Sequence, residues 1–234
     1  MAIKNLLVAY NGTESSNAAL DAAIFMRQKY DAHLTGLLAR DVESGRQSAT
    51  AWIPKNIQDM VREAREKEAE AVHQEYVART ESVEDADKIH WISKYGEADA
   101  TVSRYARLFD LTIAGRFDAV LDETDTALHP DKIAMISGRP VLLVPRENDM
   151  STYNEHAVVA WDGKRASARA LADAMQILET KSLVTVITVE DSGSDINLPE
   201  MDIETALVRH GVKTEFVKLK KDGRSVGDNV LEFL

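Results

Sequence analysis

Few side chains in these 234 residues could do chemistry, and none stands in a ready-made catalytic arrangement. Cysteine is absent, which excludes thiolate nucleophiles, disulfides and zinc–cysteine sites. The histidines His33, His73, His90, His129, His156 and His210 are scattered, and no two share a metal-ligand spacing. Each is read as a surface or capping residue, and no metal is expected. Asp118, Asp122, Glu123 and Asp125 cluster, and carboxylate oxygens suit Mg2+ or Ca2+. Their spacing is not that of an EF-hand, so a solvated loop is the expectation. Neither a G-x-x-x-x-G-K-[ST] phosphate loop nor a G-x-S-x-G nucleophile elbow occurs. Gly223-Arg224-Ser225-Val226-Gly227 is only superficially glycine-rich; it ends a strand and opens a helix, with Ser225 as the cap. Two polar turns remain, Tyr10-Asn11-Gly12 and Trp161-Asp162-Gly163, together with Gly115-Arg116 after an apolar run. Their chemistry is that of holding a ligand rather than transforming it.

The two turns belong to a repeat. Val8-Ala9-Tyr10-Asn11-Gly12 returns as Val159-Ala160-Trp161-Asp162-Gly163, an offset of 162 − 11 = 151 residues. The offset holds for Ser16 and Ser167, and for Ala19-Leu20 and Ala170-Leu171. So long a period is a duplicated domain, not a solenoid. The expected domains are residues 1–146 and 155–234, the second partial, joined by a polar linker over 145–154.

Periodicity supplies the elements. Residues 3–9 form an apolar run closed by Asn11-Gly12, a buried strand and turn. Thr13 to Ser16 offers N-caps for a helix with Ala19, Ala22, Ala23, Met26 and Tyr30 on one face. A second strand covers 33–39, and residues 41–55 read as a loop. A long helix over 57–79 is expected to bury Ile57, Met60, Val61 and Ala64, continued by Ala71, Val72 and Tyr76, with the charge run 62–70 on its wet side. Strand 89–93, helix 96–108, strand 111–114, helix 132–137 and strand 141–144 complete the first copy. Strict alternation of strand and helix predicts an open, doubly wound parallel sheet, in which ligands sit at the carboxyl ends of the strands. The second copy repeats the pattern with strands at 157–161, 183–189 and 214–219 and helices at 165–178, 200–210 and 225–234, with a loop at 191–199. It lacks the last strands of the first copy, so the gene product is expected to continue past Leu234, or an assembly to cover the gap, because a half-sheet exposes an edge and apolar surface.

The formal net charge of −11 argues against nucleic acid, whose binding leans on Lys and Arg against phosphate. No apolar stretch approaches the roughly 18–20 residues of a membrane span. The amino terminus lacks the pattern of a secretory signal, so a cytoplasmic location is expected.

The strand-turn-helix starts LLVAYNGTESSNAAL and AVVAWDGKRASARAL, with LTIAGRF and the closing RPVLLVP, resemble a tandem universal stress protein. The resemblance implies an adenine nucleotide alpha hydrolase-like α/β fold with strand order 3-2-1-4-5. It also implies a stress-response or regulatory role without catalysis, and homodimers or tandem pseudo-dimers formed along the last strand. Members that bind ATP carry an Asp after the first strand. After the fourth strand they carry Gly, two residues, Gly, nine residues, Gly, then Ser or Thr. Glycines permit close backbone approach, and N–H groups at a helix start hold phosphate.

This chain departs from that pattern. The implied first site, lined by Tyr10, Asn11, Gly12, Leu38, Gly115, Arg116 and Asp118, has Asn11 for the Asp and Asp118 for the second Gly. Acids at 118, 122, 123 and 125 would repel a polyanion, with Arg116 as one countercharge. The first copy is therefore read as degenerate. The second keeps Asp162, and Ala160, Trp161, Asp162, Gly163, Thr188 and Val189 would form the nucleoside half of a site for ATP or a related nucleotide. Its phosphate loop would fall beyond Leu234. Asp162 also reads as a turn aspartate, and Trp161 reads as core. Alternatives are a nucleotide-free interaction scaffold and, last, an adenylating or ATP-hydrolysing enzyme.

Overall fold

The computed structural model describes residues 2–40, 54–116, 128–189 and 202–233. The chain divides into two compact units, residues 3–148 and residues 149–234 with the first two residues.

The first unit runs β1 (Asn5–Ala9), α1 (Glu14–Tyr30), β2 (His33–Arg40), α2 (Lys55–Thr80), β3 (Ile89–Tyr95), α3 (Ala98–Ala106), β4 (Leu111–Gly115), α4 (Pro130–Ser137) and β5 (Val141–Val144). The five strands form one sheet in the order β3-β2-β1-β4-β5, and every pairing is parallel. The central strand β1 buries four successive residues, Leu6 to Ala9, because helices cover both faces of the sheet and leave no wet side to alternate with. Leu7, Ala9, Leu37, Ala39 and Ala114 face Val102 and Ala106 of α3 and Ile133 of α4. Small alanines on both sides let these layers approach closely. On the opposite face α1 lies against β1 and β4. Its start is fixed by Thr13, whose Oγ1 accepts the Ser16 N–H, and its last turn closes through Asp31 in the left-handed region.

The long helix α2 departs from the expected packing. Ile57, Met60, Val61 and Ala64 are exposed, and Tyr76 and Thr80 near the other end are its buried residues. The reason is length. A helix of 26 residues spans about 39 Å, whereas the eight residues of β2 reach only about 26 Å. The amino-terminal turns of α2 outrun the strands, and their apolar residues have no sheet beneath them. The expected loop at 41–55 falls largely on residues 41–53, outside the described residues.

The second unit runs β6 (His156–Ala160), α5 (Arg165–Leu178), β7 (Leu183–Val189), α6 (Ile203–Arg209), β8 (Thr214–Leu219) and α7 (Val226–Phe233). Its three parallel strands are ordered β6-β7-β8, the order of β1, β2 and β3 in the first sheet. The bounds of β6 are those of β1 moved by 151 residues, since 156 − 5 = 151 and 160 − 9 = 151. Val184 and Val186 join Leu178, Leu207 and Val212 in a core on one face, against which Trp161 packs half-buried. Ser225 caps α7 as expected: its Oγ accepts the Asp228 N–H at 3.1 Å, and its N–H reaches back to Asp228 Oδ2 at 3.3 Å. The expected loop at 191–199 lies outside the described residues. Among the described residues no helix is long and apolar enough to cross a membrane.

Candidate functional site

In the first unit the strand order reverses between β1 and β4, so the crevice past their carboxyl ends is where an open parallel sheet holds a ligand. The fold brings Tyr10, Asn11 and Gly12, Leu38, and Gly115 with Arg116 to this one edge.

Most of them are occupied with holding the fold. Tyr10 is fully buried. Its N–H donates to the Leu37 carbonyl at 3.0 Å, its hydroxyl donates to Asn17 Oδ1 at 2.6 Å, and its ring meets Tyr76 and Trp91 edge-on. Burial first, and then the nearby Glu75 carboxylate, push its hydroxyl well above the ordinary tyrosine value, so it stays protonated. Gly36 in β2 makes room for this aromatic cluster: a Cβ there would lie 2.5 Å from the Tyr76 ring and 2.8 Å from Trp91. Asn11 Oδ1 accepts the Thr13 N–H at 3.2 Å and the Thr13 hydroxyl at 2.8 Å, an Asx turn leading into α1. Gly12 follows at φ +80°, beneath Val72 of α2. Leu38 is buried beside a small cavity of about 70 Å3 that Arg40, Ala69, Val72 and Tyr95 also line.

Gly115 stands at the close approach of β4 to α1. A Cβ here would sit 2.1 Å from the Ser15 carbonyl oxygen, so glycine is required for packing whether or not a phosphate ever lies nearby. The Arg116 N–H donates to the Val144 carbonyl at 2.9 Å, and its side chain is exposed. Asp118, Asp122, Glu123 and Asp125 lie outside the described residues.

The fold also assembles a group that the sequence reading passed over. Asp99, in the first turn of α3, is buried, with its side chain 5% exposed. Its Oδ1 accepts the backbone N–H of His129 at 2.8 Å, its Oδ2 sits 2.8 Å from His129 Nδ1, and Lys132 Nζ lies 3.5 Å away. Continued past 118, the glycine pattern puts its third Gly at Leu128 and its Ser or Thr at His129. That count was the available signal. Where a hydroxyl would face a bound phosphate at the start of α4, this chain places an imidazole held by its own carboxylate. The helix start already has an internal anion.

The histidines are largely the surface or capping residues expected: His33, His90, His156 and His210 are exposed and His129 is the N-cap of α4. His33 and His90 also lie 3.0 Å apart on neighbouring strands. His129 meets Asp99, His210 meets Glu179 at 2.8 Å, and His156 meets Thr185 at 2.7 Å. Every one of these pairs spans elements that sequence spacing cannot relate. Among the described residues no group of three or more His, Cys, Asp or Glu is placed to hold a metal ion.

In the second unit Asp162 occupies the place of Asn11. Its Oδ1 accepts the Lys164 N–H at 2.9 Å and the Ser167 hydroxyl at 2.5 Å. These bonds, the Ser167 hydroxyl first, hold its carboxyl below the usual carboxylate range. Gly163 takes φ +70°, matching Gly12. Trp161 donates its N–H to the Ile187 carbonyl at 2.8 Å, which ties the end of β6 to β7 just before half-buried Thr188 and Val189. The Asp162 side chain is half-exposed, and its Oδ2 faces the Lys164 ammonium at 4.0 Å. Asp162 is thus a turn aspartate, one edge of which faces outward beside Ala160 and Gly163.

Residues 2–116 match the universal stress protein family, so the first unit carries a domain of that family. No curated protein matches the sequence. Among solved structures, a universal stress protein from Archaeoglobus fulgidus DSM 4304 is 16% identical with a TM-score of 0.63, over 93% of this chain and 78% of that one. The universal stress protein UspA from Lactobacillus plantarum is 18% identical with a TM-score of 0.49, over 62% of this chain and 99% of its own. A universal stress protein in complex with cAMP is 18% identical with a TM-score of 0.44, over 63% of this chain and all of its own. At these identities the first of the three establishes the fold.

Proposed function

We propose that the chain is a non-catalytic stress-response or regulatory binding protein made of two universal-stress-type domains, 1–146 and 155–234. In this reading the second domain is the nucleotide-responsive one, with Ala160, Trp161, Asp162, Gly163, Thr188 and Val189 meeting the nucleoside of ATP or a related nucleotide. The observation that carries it is one charge at matched turns. Asn11 and Asp162 close the same turn with the same oxygen, yet only Asp162 brings a carboxylate, with an edge exposed. A turn needs no charge, since Asn11 makes it without one. A carboxylate oxygen is an acceptor for the paired hydroxyls of a ribose. The first domain is the scaffold: Asn11 for Asp, Gly115 filled by Ser15, and Asp99 seated at the start of α4. The protein acts in the cytoplasm as a homodimer, and its net charge of −11 keeps it from nucleic acid.

Calorimetric titration of Asp162→Asn with Mg-ATP, beside the parent chain, tests this. Asn keeps the turn, as Asn11 does, so the variant folds, and it loses nucleotide affinity. Equal affinity in the two would remove Asp162 from the site.

One observation favours a second reading, a nucleotide-free scaffold. The buried Asp99 carboxylate already satisfies the start of α4, as a phosphate would. The parent chain taking up no nucleotide would leave this as the function.

A further inference from the structure

At the edge of the first sheet opposite the crevice, two imidazoles face each other. His33 opens β2, and His90 lies near the start of β3. Thr35 pairs with His90, and His33 shares its face because strand side chains alternate. His33 Nδ1 lies 3.0 Å from His90 Nε2, with the ring centres 5.3 Å apart and the planes 11° apart. The centre distance is the contact plus one ring radius on each side. The rings therefore lie nearly end to end in one plane, joined by an N–H···N hydrogen bond, rather than face to face. Both residues are exposed.

We infer that His33 Nδ1 and His90 Nε2 form a two-imidazole site for a borderline divalent transition metal, Cu(II) or Ni(II). Two nitrogens at about 2.0–2.1 Å from one ion at a right angle lie about 2.9–3.0 Å apart, whereas a tetrahedral angle opens them to about 3.3 Å. The observed 3.0 Å is the length of the hydrogen bond between rings on one line, and turning both side chains about their own bonds brings the same two nitrogens to that bite. Ligation replaces the shared hydrogen bond. The ring that donates it shifts that proton to its own far nitrogen, so none is released, and both rings turn until their lone pairs converge on the ion. Water completes the coordination. Asp31, two residues before His33, is held by Lys88 and Lys4 and is not counted as a ligand. The binding is accordingly exchangeable.

The test is calorimetric titration of the full, untagged chain with NiCl2 at neutral pH. One equivalent binds the parent. His33→Ala and His90→Ala each abolish that saturable heat, and His210→Ala, in the other unit, leaves it intact. Circular dichroism confirms that the variants fold, as exposed positions allow. His33→Gln, which retains a hydrogen-bonding side chain but no imidazole, also loses the site. An absence of saturable heat in the parent, or heat that survives both alanine variants, overturns the assignment.

Discussion

Asn11 and Asp162 close matched turns and differ by one atom type, and only Asp162 brings a charge. Around them, residue identity is governed by contact. Gly115 marks this best. In sequence it reads as the first member of a phosphate-binding pattern, and in the fold it is where the first turn of α1 rests on β4. Gly115→Ala must displace the Ser15 backbone, which is less yielding than a side chain. We expect a loss of about 2–3 kcal/mol in urea denaturation. Stability within error of the parent would mean that α1 does not rest on β4 as described. The turns at Asn11 and Asp162 were legible because their chemistry is local. Asp99 with His129 and His33 with His90 were not, because strand and helix neighbours join residues 30 and 57 positions apart.

At the scale of elements, strand and helix positions were legible in the described residues: buried strands are short, mainly apolar runs, and the turns carry their own polar closures. The burial of α2 was not. Its apolar stripe has helical period along both halves, yet periodicity does not tell how far a sheet extends beneath a helix. Met60→Glu should therefore change stability by no more than about 0.5 kcal/mol, whereas Tyr76→Ala should cost about 3–5 kcal/mol. Equal costs in thermal or urea melts would contradict the overhang. The second unit relies on aspartates at its turns and caps. Asp162 is held below the usual range by Ser167 and Lys164, Asp202 by the Thr205 N–H, and Asp222 by Arg224, down to about 2. A carboxyl whose folded value is depressed stabilises fully above its unfolded value near 3.8 and loses that contribution as pH falls through the folded value. The urea midpoint should hold from pH 7 to about 5 and fall towards about pH 2. Asp162→Asn should flatten part of that fall, and an unchanged slope would detach the turn from acid stability.

Over the whole molecule, the sequence repeat and the two sheets agree in strand order as far as the second sheet runs. The duplicated turn is thus both the plainest feature of the sequence and the one on which the proposed function rests. A net charge of −11 makes the approach of a polyanion costly unless a site offsets it, so nucleotide uptake, if found, reports a specific site rather than general attraction. Calorimetric stoichiometry with Mg-ATP on the parent chain and on Asp162→Asn is the direct measurement. One equivalent per chain, lost in the variant, is the predicted result. Two equivalents, or one that survives the substitution, would contradict the division of labour between a scaffold unit and a nucleotide-responsive one.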